Sequence, residues 1–375
     1  MTFNHFENKK PHTEIKHKIF CDTFKAILGI SAKFSQNNSF SYVDLYAGAG
    51  KFDDDTIGSP LLAFETILNC ESLQNFHEVK CYFSEKDENS VKTLQENIKQ
   101  SSEKCNVHNV FAHIKHGEWS HQDKKLHEIL HFSKWGFLFI DPFKNEIELD
   151  NLFDLLNHNK CKTKDLMFFI NTQAIKRTLG LNPNNEKMAN FFGVDSKELL
   201  TISKSDEEIR NALQNRFETI GKDYILNASL PTTRYNKLVD TNYFQLLLIT
   251  NSIGVANAFL ISYVQALSEH MKCNSLDLFN TLEDYIYSIV KKNKTISLNR
   301  LVQEIYKNNN SWKNADIHNI PTSQNLFKNL NILIKKKKIL VETDDISLIN
   351  KKNGLVNLAA YNKNSNMKQV FLHSK

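Results

Sequence analysis

Residues 40–50 read Phe40-Ser41-Tyr42-Val43-Asp44-Leu45-Tyr46-Ala47-Gly48-Ala49-Gly50, an apolar run that reaches an acid and then breaks into small residues and glycines. The pattern predicts a first strand over 40–46 that hands over to a tight turn. Gly48, Ala49 and Gly50 let the backbone pass close to a ligand, because side chains there would collide with it. A second hand-over follows at Phe137-Leu138-Phe139-Ile140-Asp141-Pro142-Phe143. Its four apolar residues in a row predict a strand buried on both faces of a sheet.

Working outward, helices and strands alternate. A helix is predicted over 13–35, where Ile15, Ile19, Phe20, Phe24, Ile27 and Leu28 recur at helical spacing. Helices are predicted over 60–70, 89–99 and 126–132, and strands over 78–83, 110–114, 137–140 and 165–171. The helix at 60 starts on Gly58-Ser59-Pro60, with the proline where a missing N–H is tolerated. A late strand at 243–250 and a closing helix at 255–270 follow. Alternation of this kind predicts a mostly parallel, doubly wound sheet covered on both sides. Residues 175–240, with helical patterns at 186–192 and 206–220 and a polar stretch Pro231-Thr232-Thr233-Arg234, read as an insertion before the last strands. The composition changes at Cys273-Asn274-Ser275. Helices at 282–291, 297–308 and 322–334, then a strand pair opening in 335–343, follow the order of a winged helix. The predicted organisation is an N-terminal helical extension (1–36), a Rossmann-like domain (37–272) and a basic winged-helix-like domain (273–375).

The 375 residues suffice for two domains, and 41% hydrophobic with 24% charged residues describes an ordinary globular chain. No apolar run approaches the length of a membrane span. Residues 1–18 are polar, so no secretory signal is expected. The six cysteines are scattered with no CxxC pair, which argues against a zinc site or a disulfide framework and suits a reducing cytoplasm. The net charge of +5 hides an asymmetry: residues 271–375 hold 17 Lys and Arg against 8 Asp and Glu, whereas residues 1–270 hold 30 against 34. A basic domain is the footprint of a polyanion such as DNA or RNA, or else a solvated lysine-rich surface.

In an open α/β sheet ligands lie outside the carboxyl ends of the strands. Asp44, Tyr46, Gly48 and Gly50 close the first strand, Glu85 the next, and Glu118, after Gly117, the third. Asp44 can accept from a cationic amine, Glu85 can take both hydroxyls of a ribose, and Glu118 can accept from an adenine amine. The set points to S-adenosylmethionine (SAM). A nicotinamide cofactor fits less well, because Gly48-Ala49-Gly50-Lys51-Phe52-Asp53 lacks the third glycine of GxGxxG. Asp141-Pro142-Phe143 is similar to the (D/N)PP(Y/F) motif of amino methyltransferases, with Phe143 where the second proline stands. There Asp141 and the Pro142 carbonyl would draw on an exocyclic amine while Phe143 stacks on a base held outside its helix. Lys144, Asn171 and Arg177 could meet an acidic substrate. For Asn171 and Arg177 the plainer alternative is a helix start.

The arrangement resembles the three-Cys-motif partner protein family (TcmP). The similar pieces are His12 to Lys16, Val43 to Gly50, Gly58-Ser59-Pro60-Leu61-Leu62-Ala63, Phe139 to Phe143, the stretch from Ile170 to Arg177, and residues 247–254. The resemblance implies a class I methyltransferase-type domain with a C-terminal winged helix. It also implies a three-Cys-motif, radical-SAM-like protein as partner. The family tends to have glycine where this chain has Lys144.

These readings converge on a cytoplasmic SAM-dependent methyltransferase acting on nitrogen of a nucleic acid or nucleotide-like substrate. Two alternatives stay open: a methyltransferase fold that binds without catalysis, and a winged-helix transcriptional regulator with an α/β ligand-sensing domain.

Overall fold

The computed structural model describes residues 11–35, 38–52, 56–105, 107–142, 147–158, 164–234, 237–270, 282–307, 323–343 and 370–374. They form two compact units that divide between Asn251 and Ser252.

The first unit is built on one sheet. Its strands are β1 (Phe40–Asp44), β2 (Val79–Glu85), β3 (Val110–His116), β4 (Trp135–Ile140), β5 (Lys164–Asn171), β6 (Tyr224–Arg234) and β7 (Lys237–Thr250), in the order β3-β2-β1-β4-β5-β7-β6. The first five run parallel, and β7 runs antiparallel to both its neighbours. This is the Rossmann-like, doubly wound α/β arrangement that the sequence predicts. The strand order reverses between β1 and β4, which is the switch point where ligands lie in open α/β sheets.

Strand alternation sends successive side chains to opposite faces. On one face lie α1 (Pro11–Ser35), α2 (Ser59–Leu68) and α3 (Glu88–Lys104). Phe20 of α1 meets Phe139 at 4.6 Å between ring centroids, and Phe24 meets Phe137 at 5.1 Å. The other face carries α4 (Lys124–Phe132), α5 (Leu149–His158), α6 (Thr172–Leu181), α7 (Glu186–Phe192), α8 (Ser196–Ile202) and α9 (Asp206–Glu218). There Val43, Leu138, Ile140 and Phe168 join Leu126, Leu152, Leu213 and Phe217 in one core. Each such fully buried side chain contributes about 1.5–3 kcal/mol.

The structure corrects several expectations. β1 ends at Asp44 rather than at 46, because the Tyr46 N–H turns back to Asp44 Oδ1 and the Ala47 N–H goes to the Ser84 carbonyl. The segment around Pro231 is strand rather than part of an insertion. β6 spans it, and the ladder with β7 shifts register between Leu230 and Thr232, so the proline sits at a bulge. The helices α5, α6 and α8 are additions to the predicted set. α8 is one of several started by side-chain caps, here Asp195 accepting from the Lys197 and Glu198 N–H groups.

The second unit contains α10 (Ile253–His270), α11 (Leu282–Asn293), β8 (Thr295–Ser297), α12 (Leu298–Lys307), α13 (Ser323–Lys335), β9 (Ile339–Thr343) and β10 (Val370–Ser374). Its three strands form an antiparallel sheet in the order β8-β10-β9. Residues 295–297 are strand where the sequence suggested the entry to a helix. Ile286, Val290, Leu301, Leu326, Leu330 and Leu333 are buried within the unit. Lys328 and Lys335 to Lys338 are exposed. Among the described residues, no helix is long and apolar enough to cross a membrane.

Candidate functional site

The carboxyl ends of β1, β2 and β4 bring together most of the residues singled out in the sequence. Asp44 closes β1 and is fully buried. Its Oδ1 accepts from the Tyr46 N–H at 3.1 Å, and its Oδ2 lies 3.4 Å from the Tyr42 hydroxyl and 3.5 Å from that of Ser59. Burial raises this carboxyl from its usual range to about 7. The Asp141 charge pushes it the same way, while the Tyr46 N–H, the Tyr42 hydroxyl and Lys16 oppose the shift.

The glycine turn follows. Gly48 takes φ +64°, and among the described residues other than its chain neighbours no atom lies within 4 Å of where a Cβ would stand. Gly50 takes φ +80°, and a Cβ there would lie 2.9 Å from Leu94 Cδ1 on α3. The two glycines thus differ: Gly50 is required by the close packing of α3, whereas at Gly48 only the left-handed backbone favours glycine. Asn97 of α3 donates to the Ala49 carbonyl at 3.2 Å, and the Gly58 N–H donates to the Gly50 carbonyl at 2.8 Å, which ties the turn to the start of α2.

Glu85 closes β2. One carboxylate oxygen accepts from the Gly48 N–H and the other from the Asp87 N–H, both at 2.8 Å. Each oxygen keeps a lone pair for a further donor, which fits paired hydroxyls. Glu118 lies beyond β3, exposed, and pairs with Lys86 at 2.6 Å. That ammonium holds the Glu118 carboxyl below its usual value. The Tyr46 hydroxyl accepts from Trp119 Nε1 at 2.9 Å. The donor and acceptor set at these three strand ends suits a ligand bearing a ribose and a cationic amine, as SAM does.

Asp141 follows β4 on the same face of the sheet as Asp44, two positions beyond Phe139, which lies beside Asp44 in the β1–β4 register. Its carboxylate forms an ion pair with Lys16 of α1. The Lys16 ammonium also lies 4.4 Å from the centre of the Phe169 ring. Phe169 stacks on Phe244 of β7 at 5.7 Å, and Phe244 stacks on His12 at 4.2 Å. This column of rings was not anticipated from the sequence. Its signal was Lys16 itself, a charged residue one turn before Phe20 on the buried face of α1.

The remaining candidates fall elsewhere. Pro142 is buried. Phe143 and Lys144 lie outside the described residues. Asn171 ends β5, and its side chain accepts from the Ala174 N–H at 3.1 Å as the cap of α6. Arg177 is exposed on α6, and its neighbour Lys176 pairs with Asp206 at 2.9 Å. For Asn171 the structure shows a helix cap, and the ion pair at this helix start is made by Lys176. A cavity of about 370 Å³ bordered by Cys81, Phe111, His113 and Ile129 lies on β2 and β3 away from this edge.

No family model matches the chain. In fold comparisons it is similar to a type I restriction-modification methyltransferase subunit from Streptococcus thermophilus, with a TM-score of 0.34, 12% identity and coverage of 65% of this chain and 44% of that one. It is also similar to precorrin-6y C5,15-methyltransferase from Geobacter metallireducens, with a TM-score of 0.31, 10% identity and coverage of 61% and 87%. A third is the S-adenosylhomocysteine-bound methyltransferase PaMTH1 of Podospora anserina, with a TM-score of 0.27, 9% identity and coverage of 60% and 75%. Among curated proteins, a putative mitoferrin of Plasmodium falciparum is 29% identical over 121 residues, a match that spans 32% of this chain and 8% of that protein. At these levels of likeness, the functional reading rests on the chain's own residues.

Proposed function

We propose that the chain is a SAM-dependent methyltransferase that transfers to nitrogen of a nucleic acid or nucleotide-like substrate. One observation carries the reading. A positive-φ glycine is gripped by the acid of the next strand, beside two further acids at the switch point of a β3-β2-β1-β4-β5-β7-β6 sheet.

In this reading Glu85 takes the ribose hydroxyls and Asp44 the amine, directly or through water. Gly48 leaves room for the backbone to lie against the ligand. SAM supplies the electrophilic methyl group. Asp141 accepts from the acceptor nitrogen and holds its lone pair toward the reacting carbon, so that placement supplies most of the acceleration. Lys16 fixes the Asp141 carboxylate from behind. The second unit supports a winged-helix reading through its order of helices and strands and the lysines that follow α13. The TcmP resemblance supports a three-Cys-motif, radical-SAM-like protein as partner.

A second reading, binding without catalysis, draws on the same ion pair. Asp141 already has a cation in contact, so its carboxylate could serve structure alone.

Calorimetric titration of the full chain with SAM, with NAD as control, tests the proposal. Micromolar SAM binding that Asp44→Ala abolishes supports it. A folded protein that binds neither ligand refutes it.

A further inference from the structure

Two lysine runs that are distant in sequence meet at one end of the second unit. Helix α11 ends with Lys291 and Lys292, with Lys294 just beyond, and α13 ends in Lys335, followed by Lys336, Lys337 and Lys338. The two helices pack together, and the Lys338 ammonium lies 5.4 Å from the centre of the Tyr287 ring on α11. The strands that follow these helices flank β10. Thr295 of β8 pairs with His373 and Ile339 of β9 with Ser374, so both strands begin at the end where β10 stops. The Ser374 N–H also donates to the Lys294 carbonyl at 3.2 Å. Lys294 and Lys338 thus stand on either side of one strand, about 10 Å apart across it. All of these lysines are exposed, and residues 285–303 and 317–341 contain no acid.

Lysines at helix carboxyl ends suit the helix dipole, which accounts for Lys291, Lys292 and Lys335. Backbone geometry sets Lys294 and Lys337 apart. They take φ of +60° and +55°, and among the described residues they are the non-glycine residues with positive φ. Lys337 fills the left-handed position of a Schellman motif: its N–H donates to the Ile334 carbonyl at 2.9 Å, and the Lys338 N–H to that of Leu333 at 3.0 Å. Lys294 holds the same place after α11, its N–H donating to the Lys291 carbonyl at 3.4 Å. Glycine or asparagine holds such a position with less strain. Strain that folding does not need, repeated on two lysines at one end of one sheet, points to a use for their charge.

We infer that this end of the unit is a contact surface for the phosphate backbone of a nucleic acid. The inference rests on the nucleic-acid reading of the second unit and goes beyond it. The polymer crosses the joined carboxyl ends of α11 and α13 rather than the length of α13 alone, so the lysines of α11 share the contact. Phosphate contacts of this kind fix the position of the polymer without reading its bases.

The test is fluorescence anisotropy of labelled duplex DNA and labelled single-stranded RNA with the full chain over a range of salt, beside thermal melts. Lys294→Asn combined with Lys337→Asn removes two charges and supplies a residue suited to the left-handed turn. This double variant is expected to melt at or above the wild-type temperature while the salt slope of binding falls by about 2. Lys292→Gln combined with Lys335→Gln, both in regular helix, is expected to lower the slope by the same amount, and it carries the test if the first double variant fails to fold. Binding of either polymer with these reduced slopes supports the inference, and the tighter of the two names the source of the phosphates. Wild-type binding with an unchanged slope in every variant that folds overturns the inference and leaves the nucleic-acid reading intact. Binding of neither polymer by the folded wild-type chain overturns both, as does capture by phosphatidylserine vesicles in their place.

Discussion

Lys16 and Asp141, 125 positions apart, form an ion pair between the first helix and the end of β4, with both side chains mostly buried. Neither residue is conspicuous alone. Together they join the element that precedes the sheet to the acid that the sequence marks as reactive, and they stand beside the second acid, Asp44.

Breaking this pair from the lysine side leaves Asp141 near a buried carboxyl without its cation. Lys16→Met is expected to destabilise the first unit by about 3 kcal/mol, because an uncompensated charge remains. Adding Asp141→Asn should recover part of the loss. Urea denaturation of the two single variants and the double variant gives the coupling energy, and a value near zero would show that the contact contributes nothing.

Asp44 makes a prediction about pH. Burial raises its carboxyl to about 7 and that of Asp165 to about 6, so the folded chain binds these protons more tightly than the unfolded chain does. Their contribution to stability is present below about pH 4 and is lost as the pH climbs from there to 7. Asp123 works in the opposite sense: with its carboxyl held at about 2, its contribution is lost as the pH falls from about 4 toward 2. Asp44→Asn is expected to be more stable than wild type at pH 8, by up to roughly 4 kcal/mol, with the difference shrinking toward pH 4. Denaturation midpoints measured across that range check both sign and window.

The two glycines of the turn should part company on substitution. Gly50→Ala puts a Cβ 2.9 Å from Leu94 Cδ1 at positive φ, so a folding cost of about 2 kcal/mol is expected. Gly48→Ala meets no neighbour among the described residues, so its folding cost should stay near the roughly 1 kcal/mol of a left-handed residue. Its effect should fall on the ligand: SAM binding should drop at least tenfold. Thermal melts and SAM titrations of both variants separate folding from binding, and unchanged affinity in Gly48→Ala would remove the turn from the site.

The winged-helix reading of the second unit is open to a salt test. Lys328 and Lys335 to Lys338 are exposed, and residues 317–341 hold these five lysines and no acid. If duplex DNA lies along α13, affinity should fall steeply with salt, and each Lys→Ala change should reduce the salt slope by about 1. Fluorescence anisotropy at several salt concentrations measures this. A slope untouched by removing all five would send the reading elsewhere.

The alternating strands and helices of the first unit could be read directly from local pattern. An apolar strand that stops at an acid and glycines needs no distant information, and neither does a face of Phe20, Phe24 and Ile27 repeating at helical spacing. The β6–β7 hairpin was harder to read, because Pro231 looks like a breaker until a bulge accommodates it. The identity of the cation facing the acids was beyond local reading. Lys16 is one of many lysines in the sequence. Only the packing of Phe20 and Phe24 against Tyr42, Phe137 and Phe139 sets the rotation of α1 that turns its ammonium toward Asp141. Sequence determines which residues a strand end can offer. The tertiary fold decides which charge each one meets, because ion pairs between distant elements form only after the apolar faces have fixed the geometry.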